Sequence, residues 1–238
     1  MPKIAQLTAV RNIVIKDRPP LVAKPNEVII GVETAGICGT DLALFSGNYP
    51  VPLPLVCGHE FVGKVKSIGD GADKRWLGRR VTAEINNTCK AYNRSPLCHA
   101  CKMGMPTHCQ KRTVTGIINH DGAFAEEVAV AVGTLHEIPE SMESATAALT
   151  EPLAAALQTF AMSPVTGEET VVVVGPGRLG ILIVFAAALK GCRVIAVSRS
   201  EAKRRRSMAF GASQALSPEQ AESRIKEITV GLGADIVV

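Results

Sequence analysis

The spacing of apolar positions changes near residue 143 of this 238-residue chain. Before that point, short runs rich in β-branched residues recur at Val28–Val32, Phe61–Ile68 and Phe124–Val132, among Gly, Pro and Asp. Such runs, bounded by turn formers, are typical of strands. The pattern therefore predicts a β-rich domain over residues 1–150.

The second part of the chain predicts a different architecture. Ser144–Phe160 is rich in Ala and Leu and predicts one helix, with Pro152 near its start or at a kink. The elements expected after it are a strand at Val171–Val174, a helix at about 179–189, a strand at Arg193–Val197, and helices at about 202–210 and 219–230. This β-α-β-α order predicts a doubly wound parallel sheet, so the fold class is α/β with a second domain over residues 151–238.

The last residues, Ile236–Val238, are apolar and predict an interior strand, yet no second half of a dinucleotide-binding sheet follows them. We expect the chain to be a truncated form of a longer protein.

Composition excludes some classes of function. The net charge of +4 is too small and too dispersed to indicate a nucleic-acid partner. No amino-terminal signal peptide is visible, and the apolar run Ile181–Leu189 is too short to span a bilayer. Four of the seven cysteines fall between residues 89 and 109, which favours a metal site over disulfides. We expect a cytoplasmic protein without a membrane partner.

Two short segments combine groups that bind zinc. Cys38-Gly39-Thr40-Asp41 and Gly58-His59-Glu60 supply a thiolate, an imidazole and carboxylates. A set of fewer than four protein ligands leaves a position for water or a substrate oxygen. The Thr40 hydroxyl is placed in sequence to carry a proton away from a bound alcohol.

A second group of thiols has the spacing of a closed metal site. Cys98, Cys101 and Cys109 follow Cys89 in a loop with Pro and Gly, and four thiolates make a tetrahedral zinc site without an open position. An empty reduced loop, or a partial site in which a histidine replaces Cys89, is the alternative.

The segment after Val174 predicts a nucleotide site. Gly175-Pro176-Gly177-Arg178-Leu179-Gly180 has the G-x-G-x-x-G pattern between a predicted strand and a predicted helix. This context indicates a dinucleotide whose pyrophosphate lies at the helix amino terminus.

The next strand bears on the choice of cofactor. It ends at Ser198-Arg199-Ser200, with Lys203 one turn later, and no carboxylate is placed to hold a ribose 2′-hydroxyl. These donors favour NADP over NAD, unless Arg199 only stacks on adenine or faces solvent.

Together these motifs resemble the zinc-dependent medium-chain dehydrogenases of the alcohol, polyol and threonine dehydrogenase group, from about Lys3 to Val238. The resemblance implies a GroES-like catalytic domain, a Rossmann domain, and an active site in the cleft between them. It also implies a homodimer or homotetramer, with an alcohol, polyol, sugar or amino alcohol as the small-molecule substrate.

The resemblance also implies roles for individual residues. Cys38 and His59 match the catalytic zinc ligands, and Thr40 matches the hydroxyl of the proton relay. Asp41 matches a carboxylate that orients the histidine, and Glu60 matches a ligand that exchanges with water. Glu151, in Glu-Pro-Leu, matches the third ligand of polyol- and threonine-type members.

The chain departs from the family pattern at the structural lobe. Eight residues, Lys90–Leu97, separate Cys89 from Cys98, where the family normally has two, so either the loop carries an insertion or the first ligand is lost. Two rival functions stay open at this point: a non-catalytic dinucleotide-binding sensor or structural protein, and a zinc-free relative similar to quinone reductases.

Overall fold

The computed structural model describes every residue from Met1 to Val238. The chain forms two compact units, Met1–Glu151 and Pro152–Val238. None of its helices combines the length and the apolar character that crossing a membrane requires.

The first unit consists mainly of antiparallel strands and short helices. Its elements are β1 (Lys3–Ala9), β2 (Asn12–Asp17), β3 (Glu27–Gly36), α1 (Gly39–Ser46), β4 (Leu55–Val56), β5 (Glu60–Ile68), β6 (Arg80–Ala83), β7 (Asn86–Asn87), α2 (His99–Lys102), β8 (Thr113–Val114), β9 (Glu127–Ala131), β10 (Leu135–Glu137) and α3 (Ser144–Ala147). The next helix, α4 (Thr150–Met162), begins in this unit and continues into the second.

A five-stranded antiparallel sheet in the order β10-β6-β5-β3-β9 forms the centre of the first unit. In β5, residues 60–63 are all buried. From there onward exposed Lys64 and Lys66 alternate with buried Val65, so one face of the sheet is solvated only along the second half of the strand. The apolar face packs with Val28 of β3 and other side chains in one core. Smaller sheets, β2-β1-β4 and β7-β8, complete the unit.

The second unit is a parallel sheet with helices between its strands. Its elements are β11 (Thr170–Val174), α5 (Arg178–Leu189), β12 (Arg193–Val197), α6 (Glu201–Ala209), β13 (Gln214–Leu216), α7 (Pro218–Ile228) and β14 (Ile236–Val237). All neighbouring strands are parallel, in the order β13-β12-β11-β14. The strands β12 and β13 thus lie in sequence on one side of β11, and β14 lies on the other side of β11. This is the order of the first four strands of a dinucleotide-binding sheet.

One predicted helix is divided in two. The sequence predicted a continuous helix over Ser144–Phe160, but α3 ends at Ala147 and α4 begins at Thr150. Pro152 accounts for the break, because proline lacks the N–H that an interior position donates and its ring crowds the preceding turn. In the first turn of α4 that N–H has no intrahelical acceptor to lose.

Other differences concern short or exposed elements. The strand predicted at Phe124–Val132 covers only Glu127–Ala131. The strands β1 and β2, the helix α1 and the strand β13 were not predicted from the pattern. Every residue of β2 is exposed, so that strand has no buried alternation to reveal it.

A buried arginine fixes the segment that leads to α3 and α4. The Arg80 side chain is only 4% exposed, and its Nε lies 3.0 Å from Glu33 Oε2. Its Nη1 donates to the carbonyls of Pro139 and Met142, and its Nη2 donates to Ser144 Oγ. One guanidinium therefore fastens the 139–144 connection to the central sheet.

We expect Arg80→Lys to destabilise the first unit by about 2 kcal/mol, because an ammonium cannot reproduce the planar fork that reaches all four acceptors. Urea unfolding followed by Trp76 fluorescence measures this directly, because Trp76 is the single tryptophan and lies in the first unit. The neighbouring Arg79, whose side chain is 60% exposed, is the matched control. Equal urea midpoints for Arg80→Lys and Arg79→Lys would show that the buried network contributes little.

Candidate functional site

The Asp41 carboxylate joins the two predicted zinc-binding segments. Cys38 precedes the first turn of α1, and its backbone N–H donates to Asp41 Oδ2 at 2.8 Å. The other oxygen, Oδ1, accepts from the backbone N–H of Gly58 at 3.1 Å. The Asp41 side chain is buried, so one carboxylate satisfies a donor from its own segment and one from a segment 17 residues further along the chain.

His59 is held beside the same carboxylate. Gly58 has φ +93, which only glycine adopts readily, and a Cβ there would overlap Phe124. The turn places the buried His59 ring with Nδ1 3.6 Å from Asp41 Oδ1 and without a hydrogen-bond partner. Burial lowers the pKa of His59, but the Asp41 carboxylate and the Cys38 sulfur outweigh it and raise the pKa to about 9.

Three donor atoms converge at this point. One ligand atom each from Cys38, His59 and Glu60 lies within 4.8 Å of the others. Gly36 makes room for the glutamate, because a Cβ at that position would lie 2.5 Å from Glu60 Oε2. The Thr40 hydroxyl lies 3.8 Å from Cys38 Sγ, which places it at the edge of the group.

Glu151 faces the same region but does not join the group of three. It is half-buried, and burial raises the pKa of its carboxyl; the His59 charge opposes this shift, and the Glu60 and Asp41 carboxylates add to it. Its carboxylate is thus within electrostatic reach of His59, while the tight group contains Cys38, His59 and Glu60 alone.

These residues fit a zinc ion. A thiolate, an imidazole and a carboxylate are all zinc donors, and three of them leave a position open. The position of His59 Nδ1, 3.6 Å from Asp41 Oδ1, supports the fit, because the second ring nitrogen of a metal-binding histidine usually faces a carboxylate. With Nδ1 next to Asp41, Nε2 is the nitrogen left for a metal.

A cavity of about 350 Å³ begins at Thr40. Tyr49, Asn86 and Arg112 line it together with apolar side chains. Arg112 Nη1 donates to Asn86 Oδ1 at 2.9 Å, and Asn86 Nδ2 donates to Glu84 Oε1 at 2.9 Å. The pattern along the chain gave no signal for Tyr49 or Arg112, because only the fold brings them to Thr40.

The four clustered cysteines converge at a separate point. The sulfurs of Cys89, Cys98, Cys101 and Cys109 all lie within 4.8 Å of one another, and all four thiols are free. The structure therefore brings Cys89 into the group despite the eight residues that separate it from Cys98.

The spacing of the sulfurs matches a tetrahedral metal site rather than a disulfide. Cys109 Sγ lies 3.5 Å from Cys89 Sγ and 3.7 Å from Cys98 Sγ. Zinc–sulfur bonds of about 2.3 Å place tetrahedral sulfurs about 3.8 Å apart, whereas a disulfide requires about 2.05 Å. Backbone N–H groups of Cys101 and Gln110 lower the pKa of Cys98 to about 6, so the peptide chain itself favours the thiolate that zinc binds.

In the second unit, the glycine-rich loop joins β11 to α5. Gly175 has φ +81, and a Cβ on Gly180 would lie 2.6 Å from the Gly175 carbonyl oxygen. Gly177 precedes the first turn of α5, and no atom approaches within 3.8 Å of the position its Cβ would take. Arg178 and Leu179 are exposed at the start of the helix. The helix amino terminus is thus open to a phosphate.

The predicted 2′-phosphate residues lie next to this loop. Gly175 N–H donates to the carbonyl of Val197, the last residue of β12, at 2.9 Å. Ser198, Arg199 and Ser200 follow directly, and Ser200 Oγ accepts from Lys203 N–H at the start of α6. The side chains of Arg199 and Lys203 are exposed.

Arg204 is a supporting residue that the sequence interpretation overlooked. Its Nη1 donates to the carbonyl of Ser198 at 2.7 Å and to that of Arg199 at 3.1 Å, which fixes the turn that presents Arg199. The basic run at 203–206 was interpreted as a solvated helix face, and only the turn geometry distinguishes Arg204 within it.

Two family models match this chain. The model described as the alcohol dehydrogenase GroES-like domain matches residues 24–140, and the one described as zinc-binding dehydrogenase matches residues 179–238. A structure described as a zinc-binding dehydrogenase from Sinorhizobium meliloti 1021 bound to NADP is 32% identical, with a TM-score of 0.86. The match covers 100% of this chain and 69% of that one.

The chain belongs to the zinc-dependent medium-chain dehydrogenase family. The predicted resemblance and the predicted fold class, a GroES-like domain followed by a parallel Rossmann-type sheet, are both confirmed.

Curated members of the family also match. The sorbitol dehydrogenase of Halalkalibacterium halodurans is 30% identical over 231 residues, and the L-threonine 3-dehydrogenase of Pyrococcus horikoshii is 32% identical over 219 residues. The matches cover 95% and 89% of this chain. The chain spans 66% and 61% of the length of these relatives.

We expect Asp41→Ala to lower the stability of the metal-free first unit by about 3 kcal/mol, because it leaves two backbone N–H groups without acceptors. Asp41→Asn restores one acceptor oxygen and should recover part of the loss. Urea unfolding in EDTA, followed by Trp76 fluorescence, separates this effect from metal binding. Asp73, an exposed residue that accepts from Arg75 N–H, is the control position. A loss no larger for Asp41→Ala than for Asp73→Ala would contradict the bridging role.

Proposed function

We propose that the protein is a zinc-dependent oxidoreductase that transfers a hydride between NAD(P) and a secondary alcohol, polyol, sugar or amino alcohol. The observation that carries the proposal is the convergence of Cys38, His59 and Glu60 beside the Thr40 hydroxyl. The matches to a sorbitol dehydrogenase and an L-threonine 3-dehydrogenase support the same reaction class.

The catalytic zinc would be held by Cys38, His59 and Glu60, with Glu151 as a further ligand that can approach from α4. A bound zinc acts as a Lewis acid that lowers the pKa of an alcohol. Asp41 keeps the His59 ring oriented by lying beside Nδ1 and by holding both backbone segments. The buried carboxylates limit the net positive charge that the ion brings into the site.

Thr40 would carry the proton. Its hydroxyl both donates and accepts hydrogen bonds, and it lies between the Cys38 sulfur and the 350 Å³ cavity. A hydroxyl in that place can accept the alcohol proton while donating its own toward solvent. Thr40 therefore joins the reacting group to bulk water without itself becoming charged in the resting site.

The four-cysteine group would hold a structural zinc. All four sulfurs lie within 4.8 Å of one another, so a tetrahedral ion there has no open position for a substrate. Such an ion ties together three separate stretches of one long loop. Its contribution is to folding rather than to chemistry.

NADP is the preferred cofactor in this proposal. The turn after β12 offers the hydroxyls of Ser198 and Ser200 and the cations of Arg199 and Lys203, without a carboxylate before Glu201. A phosphate dianion suits these donors, whereas a ribose 2′-hydroxyl would lack its usual acceptor. Among the matched structures one is bound to NADP and another to NADH, so the preference rests on the residues of this turn.

The substrate would be polar beyond its reacting carbon. Tyr49, Asn86 and Arg112 line the cavity that begins at Thr40 and offer hydrogen bonds to further hydroxyl groups. A polyol or sugar has additional hydroxyl groups that can bond to the Tyr49 hydroxyl and to the remaining N–H donors of Arg112, whereas a simple alkyl alcohol has none.

We expect two zinc ions per chain in the full-length protein, and about one after either Cys38→Ser or Cys101→Ser. Cys38→Ser should reduce turnover by at least about a hundredfold, because one zinc donor is lost, while NADP binding is retained. Elemental analysis and single-turnover kinetics measure the two effects.

The control for zinc content is Cys192→Ser, a buried thiol outside both groups. One zinc per chain in the parent, unchanged in Cys38→Ser, would mean that only the four-cysteine group is filled. That result would favour a non-catalytic or zinc-independent relative and would overturn the proposed function.

We expect Arg199→Ala to raise the KM for NADP by about 10- to 100-fold, the effect of losing a charge-assisted hydrogen bond, and to leave the KM for NAD nearly unchanged. Arg205→Ala is the control, because Arg205 is exposed and pairs with Glu201. An unchanged ratio of the two KM values would remove Arg199 as the residue that binds the 2′-phosphate.

A further inference from the structure

The eight-residue segment Lys90–Leu97 lines a surface groove that the proposed function does not use. We call this the lobe groove, a cavity of about 500 Å³ between this segment and the turn at residues 24–27. Its lining is mainly polar and cationic, and consists of Lys24, Pro25, Asn26, Glu27, Tyr92, Asn93, Arg94, Ser95, Pro96 and Lys111. Neither the Cys38 group nor the glycine-rich loop contributes to it.

Three cations in the lobe groove have no anionic partner. Lys24, Arg94 and Lys111 form no ion pair, and none of the three side chains makes a hydrogen bond within the protein. Like charges held around one cavity repel one another unless an anion enters it. With three cations and the single carboxylate of Glu27 in its lining, the groove has an excess of positive charge.

The one carboxylate in the groove is already committed to the protein. Glu27 is buried, and its Oε2 accepts from Lys24 N–H at 3.1 Å. Its Oε1 accepts from the Tyr92 hydroxyl at 3.4 Å. Glu27 thus links the two walls of the groove through hydrogen bonds and forms no ion pair with the three cations.

Tyr92 in turn holds Arg94. The Arg94 guanidinium lies 4.6 Å from the centre of the Tyr92 ring, at a cation–π distance. Stacking restrains the plane of the guanidinium and leaves its five N–H groups free to donate along the edge. A planar fork of free donors that lines the same cavity as two lysines is suited to phosphate oxygens.

We propose that the lobe groove binds a small phosphate-bearing anion through Lys24, Arg94 and Lys111. One wall of the groove belongs to the segment that connects Cys89 to Cys98, and the other belongs to the turn at residues 24–27. An anion bound to Lys24 and Arg94 would therefore link the two walls. The anion would bind the folded cysteine lobe and not the unfolded loop, so binding stabilises the folded lobe against unfolding. The anion is either free phosphate or the phosphate group of a small metabolite.

The test uses full-length, zinc-loaded protein in saturating NADP, so that the nucleotide loop does not compete for the probe. Isothermal titration with inorganic phosphate should give a dissociation constant of about 1 mM or lower, weakening as KCl is added. Glycerol 3-phosphate is the second probe. Tighter binding of the ester than of phosphate assigns the site to a phosphorylated metabolite, and equal or weaker binding assigns it to free phosphate.

The deciding variant is Arg94→Gln combined with Lys111→Gln. We expect its dissociation constant for phosphate to rise at least about tenfold, because two charge-assisted hydrogen bonds are lost. Arg75→Gln is the matched control, because Arg75 also stacks on an aromatic ring, that of Trp76 at 5.0 Å, but lies outside the groove.

The zinc of the lobe gives a second readout. Phosphate should slow the release of one zinc to a chelator in the parent and in Arg75→Gln, and should have no effect in the double variant. An unchanged melting temperature without phosphate shows that the double variant is folded. Equal phosphate affinities in parent and double variant, or no phosphate binding to the parent, would overturn the proposal. Binding of an acidic peptide with no binding of either phosphate probe would also overturn it.

Discussion

The Asp41 carboxylate is the constraint on which the candidate active site depends. It accepts the N–H groups that begin α1 and that precede His59, and it lies 3.6 Å from His59 Nδ1. Without this bridge, the two segments would bring a thiol and an imidazole to the protein surface with no common geometry. The bridge is made by backbone groups and a buried carboxylate, so it restrains Cys38 and His59 through contacts other than those to a metal.

A second set of buried hydrogen bonds, made by Arg80, holds the segment that leads to Glu151. Arg80 fastens the 139–144 connection to the central sheet, and that connection leads through α3 to Glu151 at the start of α4. The division of the helix at residues 148–149 gives α4 a start of its own, with Pro152 in its first turn. Glu151 therefore sits at a helix beginning whose position is set independently of Asp41.

Sequence patterns predicted the second unit better than the first because buried parallel strands carry a strong signal. Arg193–Val197 was predicted and observed with the same bounds, since four of its five residues are buried and a glycine turn precedes it. The helix α1 gave no comparable signal, because only Asp41 and Leu44 are buried in it. Residue types alone indicated the chemistry of Cys38 and His59. They did not indicate that Asp41 would accept two backbone donors, or that Tyr49 and Arg112 would line a cavity at Thr40, because those relations cross distant parts of the chain.

The cysteine lobe shows why spacing along a chain is a weak guide to metal geometry. Eight residues between Cys89 and Cys98 suggested either an insertion or a lost ligand, and the sulfurs nevertheless converge within 4.8 Å. The residues between Cys89 and Cys98 form a loop beside the cysteine group. This loop is closed by the Arg94 N–H, which donates to the Cys89 carbonyl at 2.9 Å. An insertion that closes on itself in this way keeps the ligand geometry and adds new surface beside it. One wall of the lobe groove is that surface, and Arg94 is the cation that this loop adds to Lys24 and Lys111.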